Sequence, residues 1–210
     1  MFTEKIITKI GYIEATIPFA YYNQLLQNIN ENPPTELYNK SLAGQIENEK
    51  KIDFNLFPQE IKNIIFDGCV KYIDTFGHDF FIKNVSLKHK LQFLNIWINF
   101  QKSGEYNPIH NHTGDLVFVT WLQIPYDLNE EQSQPSCIHS NFPVASKFQF
   151  TNITNPYTDK INNLLDIDKS YEGKIIIFHA DMYHLVYPFF TSDKYRISVS
   201  GNLRIMPDED

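Results

Sequence analysis

A chain of 210 residues can bury a substantial core within one domain, and its 42% hydrophobic and 15% aromatic content marks it as a folding sequence, not a disordered one. The net charge of −7 is dispersed along the chain, which argues against a phosphate-backbone partner. No apolar run reaches the roughly 18 residues of a membrane span, and the two cysteines, Cys69 and Cys137, have no CxxC or zinc-type spacing, so a cytoplasmic protein free of membrane and nucleic acid is expected.

In chain order, residues 1–13 read as an opening strand pair. Pro18 then starts a helical pattern with Tyr22, Leu25, Leu26 and Ile29 on one face, stopped by Asn32, Pro33 and Pro34. Residues 40–53 are polar and read as a structured loop. Pro58 opens a second helix whose apolar stripe is Ile61, Ile64, Ile65, Cys69, Val70 and Ile73. From Val85 the character changes: LQFLNIWINF, LVFVTWLQI, SKFQFTNI, GKIIIFHA and YRISVSGNLRI are short, β-branched and aromatic, with turn residues between them. Strands and helices do not alternate there, which disfavours a parallel sheet. The expected fold is mainly β with flanking helices (α+β): one domain over 1–210, with helical support at about 1–90 and a jelly-roll core, a double-stranded β-helix, at about 91–205.

The segment NPIHNHTGD places His110 and His112 two residues apart, on the same face of an extended strand, a spacing that suits one metal ion. Taken alone, the pair also reads as two solvated loop histidines. Further on, GKIIIFHADMYHLVYPF leads an apolar strand to His184 at the start of another. After a Thr-Ser-Asp turn, Arg196 and Ser198 alternate with Ile197 and Val199. An inward Arg is costly unless it meets an anion, and its planar fork suits a carboxylate; the plain alternative is an internal ion pair.

The succession of strand, HxH, strand, long insert, strand, His, turn and strand with Arg-x-Ser resembles the 2-oxoglutarate/Fe(II) dioxygenases. More closely, NIWINFQKSGEYNPIHNHTGDLVFVTWLQIP, GKIIIFHADMYHLVYPF and RISVSGN are similar to 2-oxoglutarate/Fe(II) oxygenases of phages and marine microbes in which HxH replaces HxD. The resemblance implies Fe(II) as metal and 2-oxoglutarate and O2 as cosubstrates. It implies succinate and CO2 as coproducts, and hydroxylation of a C–H bond in a peptidyl (for instance prolyl) or small-molecule substrate. It also gives Arg196 the distal carboxylate of 2-oxoglutarate and leaves no catalytic residue beyond the metal centre.

Two ligand sets remain open. In one, His110, His112 and His184 hold the metal. In the other, Asp115 supplies a carboxylate, which requires Gly114 to break the strand, because alternation would turn Asp115 away from the pair. Asp115 could also support a metal-bound histidine from behind. Ser198 and Asn99 are candidate 2-oxoglutarate contacts, while Gln101 and Asn202 share the same strands. His179 ends the preceding strand and is not expected to bind metal; His78, His89 and His139 have no metal-like company. Trp97, Trp121 and Tyr183 are expected to wall the barrel. The competing functions are a cupin-like metal protein or sensor without oxygenase activity, and a structural β-sandwich.

Overall fold

The computed structural model describes residues 2–7, 10–77, 90–151 and 162–206. The opening strands β1 (Thr3–Ile7) and β2 (Ile10–Thr16) pair antiparallel, as the β-branched runs predict. Helix α1 (Phe19–Glu31) follows Pro18 and buries Leu25 and Ile29. The Tyr22 hydroxyl donates to Leu122 O at 2.7 Å and ties this helix to the strands.

Helix α2 (Gln59–Phe76) follows Pro58 and buries Ile61, Ile65, Cys69, Tyr72 and Phe76, which share one face at spacings of three and four. The expected stripe is corrected at one edge: Val70 is 37% exposed, and Tyr72 and Phe76 continue the buried face. The helix packs on β2 and on β9 (Lys174–His179). β9 is covered on both faces, which is why Ile175 to Phe178 form an unbroken apolar run instead of alternating.

The remaining strands are β3 (Glu49–Lys51), β4 (Lys90–Gln101), β5 (Asn107–His110), β6 (Leu116–Gln123), β7 (Phe148–Thr151), β8 (Asn162–Leu165), β10 (His184–Val186) and β11 (Arg196–Met206), with a short helix α3 (Leu128–Gln132) in the insert after β6. Among the described residues they form a seven-stranded sheet, β1-β2-β9-β6-β11-β4-β3, and a four-stranded sheet, β5-β10-β7-β8, both antiparallel throughout. This is the expected jelly roll with helices on the outside of the larger sheet.

Two strands depart from the sequence reading. β3 lies within the segment read as a loop: Glu49, Lys50 and Lys51 pair with Asn99, Ile98 and Trp97 of β4. A three-residue, charged edge strand carries no hydrophobic alternation, so only its backbone pairing reveals it. β8, Asn-Asn-Leu-Leu, is likewise recruited by pairing with β7. On β4, Ile96 and Ile98 join the core under the helices, whereas Trp97, Asn99 and Gln101 face the space between the sheets. That alternation positions the site.

Candidate active site

β5 and β10 are antiparallel neighbours in which His110 and His184 stand directly opposite each other. His112 lies just beyond β5, where its N–H donates to Ala180 O at 2.9 Å and fixes its backbone. The three imidazoles offer ligand nitrogens that all lie within 4.8 Å of one another.

Their tautomers follow from the neighbouring carbonyls. Nδ1 of His110 lies 2.7 Å from Pro108 O, and Nδ1 of His184 lies 2.9 Å from Met182 O. A carbonyl only accepts, so both rings carry their proton on Nδ1 and leave the Nε2 lone pair bare. Nε2 of His112 is 3.1 Å from Nε2 of His184. Adjacent nitrogens on one ion are about 2.8–3.4 Å apart when metal–nitrogen bonds are about 2.0–2.1 Å, so this spacing suits a shared cation.

Burial holds all three rings below the ordinary imidazole range, with His112 down at about 3 and His110 adding to the effect there. They are therefore neutral donors at physiological pH. Phe148 stacks on His184 with ring centroids 5.2 Å apart, and Trp97 flanks His112 at 5.6 Å, which restricts ring rotation.

These histidines line a cavity of about 230 Å³ between the sheets, whose opposite wall includes Trp97, Asn99 and Gln101 of β4 and Arg196, Ser198 and Ser200 of β11. Arg196 is 2% exposed. Its Nε and Nη2 donate to Gln101 Oε1 at 3.1 and 2.8 Å, its Nη1 to Tyr126 Oη and Ser146 O, and its Nη2 also to Tyr187 O. All of these acceptors are neutral, and no carboxylate among the described residues lies within 4.0 Å. The internal ion pair considered for this residue is absent there: a buried cation faces the cavity without a counter-ion.

Residues 95–202 match the family described as "Putative 2OG-Fe(II) oxygenase". The chain belongs to the 2OG-Fe(II) oxygenase family. A prolyl-4-hydroxylase of Pseudomonas putida shares the fold, with a TM-score of 0.57 at 9% identity over 94% of each chain. So does a 2OG-Fe(II) oxygenase family oxidoreductase of Burkholderia pseudomallei, with a TM-score of 0.52 at 11% identity over 91% of this chain and 84% of that one. A non-heme alpha ketoglutarate dependent epimerase from nogalamycin biosynthesis also has a TM-score of 0.52, at 11% identity over 95% of this chain and 80% of that one. No curated protein matches the chain at the sequence level.

The family uses Fe(II) and 2-oxoglutarate, with O2 as the other cosubstrate, and the donor set fits an iron ion: three neutral imidazoles grouped on one side and a cavity in front of them. Membership sets aside the purely structural sandwich and the cupin-like protein without oxygenase chemistry. Among the described residues the histidine group contains no carboxylate, a departure from the 2-His-1-carboxylate pattern.

Asp115 lies outside that group, which consists of the three histidines of the other ligand set. Gly114 does turn the chain, with φ +92°, but the turn delivers Asp115 to β11, where its Oδ2 accepts from Ile205 N at 2.8 Å. Nor does it support His110 or His184 from behind, since their Nδ1 atoms bond carbonyls. His179 ends β9 in the other sheet, with Asp181 N donating to its Nδ1, and is not in the group. His139 is exposed, and His78 and His89 lie outside the described residues.

Asn99 and Ser198 are register partners and both line the cavity. The Oδ1 of Asn99 is buried and has no hydrogen-bond partner. Trp97 and Trp121 are buried and line the cavity, and Trp121 also belongs to the hydrophobic core. Residues that sequence reasoning missed are Tyr126, Ser146 and Tyr187 around Arg196, and Glu49 on β3. The polar and aromatic positions 95, 97, 99 and 101, set against Ile96, Ile98 and Phe100, were the signal that β4 lines a site.

Proposed function

We propose that this chain couples oxidative decarboxylation of 2-oxoglutarate to hydroxylation of an unactivated C–H bond, with His110, His112 and His184 holding Fe(II). Arg196 receives the distal carboxylate of 2-oxoglutarate, and Ser198 and Asn99 hydrogen-bond the same molecule. The observation that carries this reading is the pairing, across one small cavity, of three neutral imidazoles with a buried arginine that has no counter-ion among the described residues.

When bound, Fe(II) supplies the one-electron and O2 chemistry that no side chain offers. The chain holds the imidazoles neutral by burial and fixes two of their tautomers with backbone carbonyls, so that no proton has to leave for the metal to bind. Three neutral ligands leave the charge of the ion uncompensated, so the dianionic cosubstrate should bind the metal-loaded protein far better than the metal-free one. Phe148, Val119, Trp97 and Trp121 exclude water around the reacting groups.

A cavity of about 230 Å³ lies below the roughly 300–1,000 Å³ of typical small-molecule sites. Once 2-oxoglutarate is in place, the space suits an extended side chain or a small molecule. A peptidyl substrate, with prolyl as one example, is supported by fold-level analogy alone. A cytoplasmic location, where Fe(II) and the free thiols of Cys69 and Cys137 persist, belongs to the same reading.

The test is aerobic conversion of 2-oxoglutarate to succinate with and without Fe(II). Turnover should require iron, disappear in His184→Ala and survive in Asp115→Asn. Iron-independent turnover, or loss in Asp115→Asn equal to that in His184→Ala with both proteins folded, would overturn the three-histidine assignment.

A further inference from the structure

Glu49 has no part in the metal or cosubstrate reading, yet it lines the same cavity. Pairing across the larger sheet sets Glu49 of β3 beside Asn99 of β4, which is beside Ser198 of β11, which is beside Trp121 of β6. Glu49 thus ends the row at the sheet edge, away from Trp121.

Its side chain is 1% exposed in total. No Lys, Arg or His among the described residues pairs with its carboxylate within 4.0 Å. The hydrogen bond that does reach it is a 3.5 Å contact from Asn39 Nδ2 to Oε2, at the limit of such bonds. On the other side its Oε1 and the Oδ1 of Asn107 converge on Gly44: a Cβ there would lie 2.3 Å from one and 2.7 Å from the other. Residue 44 can pack against these two side chains only because it has no side chain of its own.

Burying an acid without a cation is costly. Here burial, with Glu105 nearby, pushes the carboxyl up to about 7. The one guanidinium on the cavity wall, Arg196, has its hydrogen bonds elsewhere, and Glu49 is not part of the histidine group. Glu49 therefore lines the cavity as a buried acid without a cation among the described residues, and the net charge of −7 favours a cationic ligand there.

We propose that Glu49 is a substrate-recognition residue, pairing with a protonated amine of the substrate. The proposal deepens the oxygenase reading and rests on it for the identity of the cavity. It narrows the substrate class to molecules or side chains that carry an ammonium group within reach of the oxidised carbon.

The probe is n-butylamine, with n-butanol as its uncharged counterpart, each followed by saturation-transfer NMR. Both are titrated into the protein alone and into its complex with Mn(II) and N-oxalylglycine, an unreactive stand-in for 2-oxoglutarate. The wild type should bind the amine at least tenfold more tightly than the alcohol. Glu49→Gln should erase that preference, and Glu49→Asp, which keeps the charge one methylene shorter, should retain part of it. Affinities for Mn(II) and N-oxalylglycine should be unchanged in both variants.

Equal binding of amine and alcohol to the wild type, or an undiminished preference in folded Glu49→Gln, would overturn the proposal. So would a matching loss of Mn(II) affinity in Glu49→Gln, which would make Glu49 a counter-charge to the metal. Failure of the wild type to bind Mn(II) or N-oxalylglycine would instead strike the oxygenase reading, and the amine comparison on the protein alone would still decide the role of Glu49.

Discussion

Arg196 reaches its four acceptors from a nearly inaccessible position, and the amide oxygen of Gln101 spans its Nε and Nη2 much as one carboxylate oxygen would. All of its N–H groups are occupied, so a carboxylate has to displace a neutral acceptor, and Gln101 is the one that shares the cavity wall. The exchange is favourable because a charge-assisted bond is the stronger one. Arg196→Leu should therefore weaken 2-oxoglutarate binding by roughly 2–5 kcal/mol with little change in metal affinity. Ser198→Ala should cost about 1 kcal/mol, and Gln101→Ala, which removes the competitor, should tighten binding by a similar amount. Calorimetric titration of 2-oxoglutarate into the anaerobic Mn(II) protein measures all three. Unchanged affinity in folded Arg196→Leu would remove the cosubstrate assignment. Weakened affinity in Gln101→Ala would show that Gln101 orients the guanidinium instead of competing for it.

The turn between β5 and β6 shows how one element delivers the site. Gly114 adopts φ +92°, and a Cβ there would sit 2.6 Å from Leu203 O. Asp115 N donates to Leu203 O and Ala180 N donates to Asp115 O, so the turn is stitched to β11 and to the segment whose Ala180 O also holds His112. Gly114→Ala meets both the left-handed backbone and the contact with a carbonyl. It should destabilise the protein by roughly 1–3 kcal/mol, and it should lower Mn(II) affinity because His112 shares the anchor. Urea unfolding and metal titration check this; stability within about 0.5 kcal/mol of wild type, the range of ordinary surface substitutions, would show that the turn relaxes freely. Helix α2 is the contrary case, legible from spacing alone. Its face of Ile61, Ile65 and Cys69 needs no partner to be recognised, and only the edge at Val70 was misplaced.

For the molecule as a whole, two sets of buried titratable groups act on stability in opposite directions. The imidazoles of His110, His112 and His184 lie below their ordinary value when folded, so the unfolded chain takes up protons first as pH falls through about 6.5, and stability is lost toward acid. For His112, at about 3, the loss at pH 5 is roughly 2 kcal/mol. Glu49 is raised to about 7, so its contribution is fully present below the unfolded value near 4.5 and is lost as pH rises through 7, up to roughly 3 kcal/mol. The two windows overlap below about pH 7, where three histidines outweigh one carboxyl, so the metal-free protein should gain stability from acid up to a plateau near pH 7. In thermal unfolding across pH 4–9, His112→Gln should flatten the rise in stability up to about pH 7, and Glu49→Gln, which removes the opposing slope between about 4.5 and 7, should steepen it. Parallel curves for wild type and both variants would show that these groups titrate alike in the folded and unfolded chain.

Periodicity was enough to recognise α1, α2, the opening strand pair and the long strands of the C-terminal half, because a buried face imprints itself on residue order, but not the five-residue α3. Order and spacing were also enough to single out His110, His112, His184 and Arg196 as a family pattern. Pairing decided the rest. Glu49 reads as part of a charged loop until its backbone joins β4, and Asp115 stays open as an alternative ligand until the Gly114 turn carries it to Ile205. Whether Arg196 has an internal counter-ion depends on residues 50 to 95 positions away in sequence, in Ser146, Tyr126 and Gln101. Local patterns record which face of a segment is buried; they do not record which distant side chain arrives on the other side, and the chemistry of this cavity is made of such arrivals.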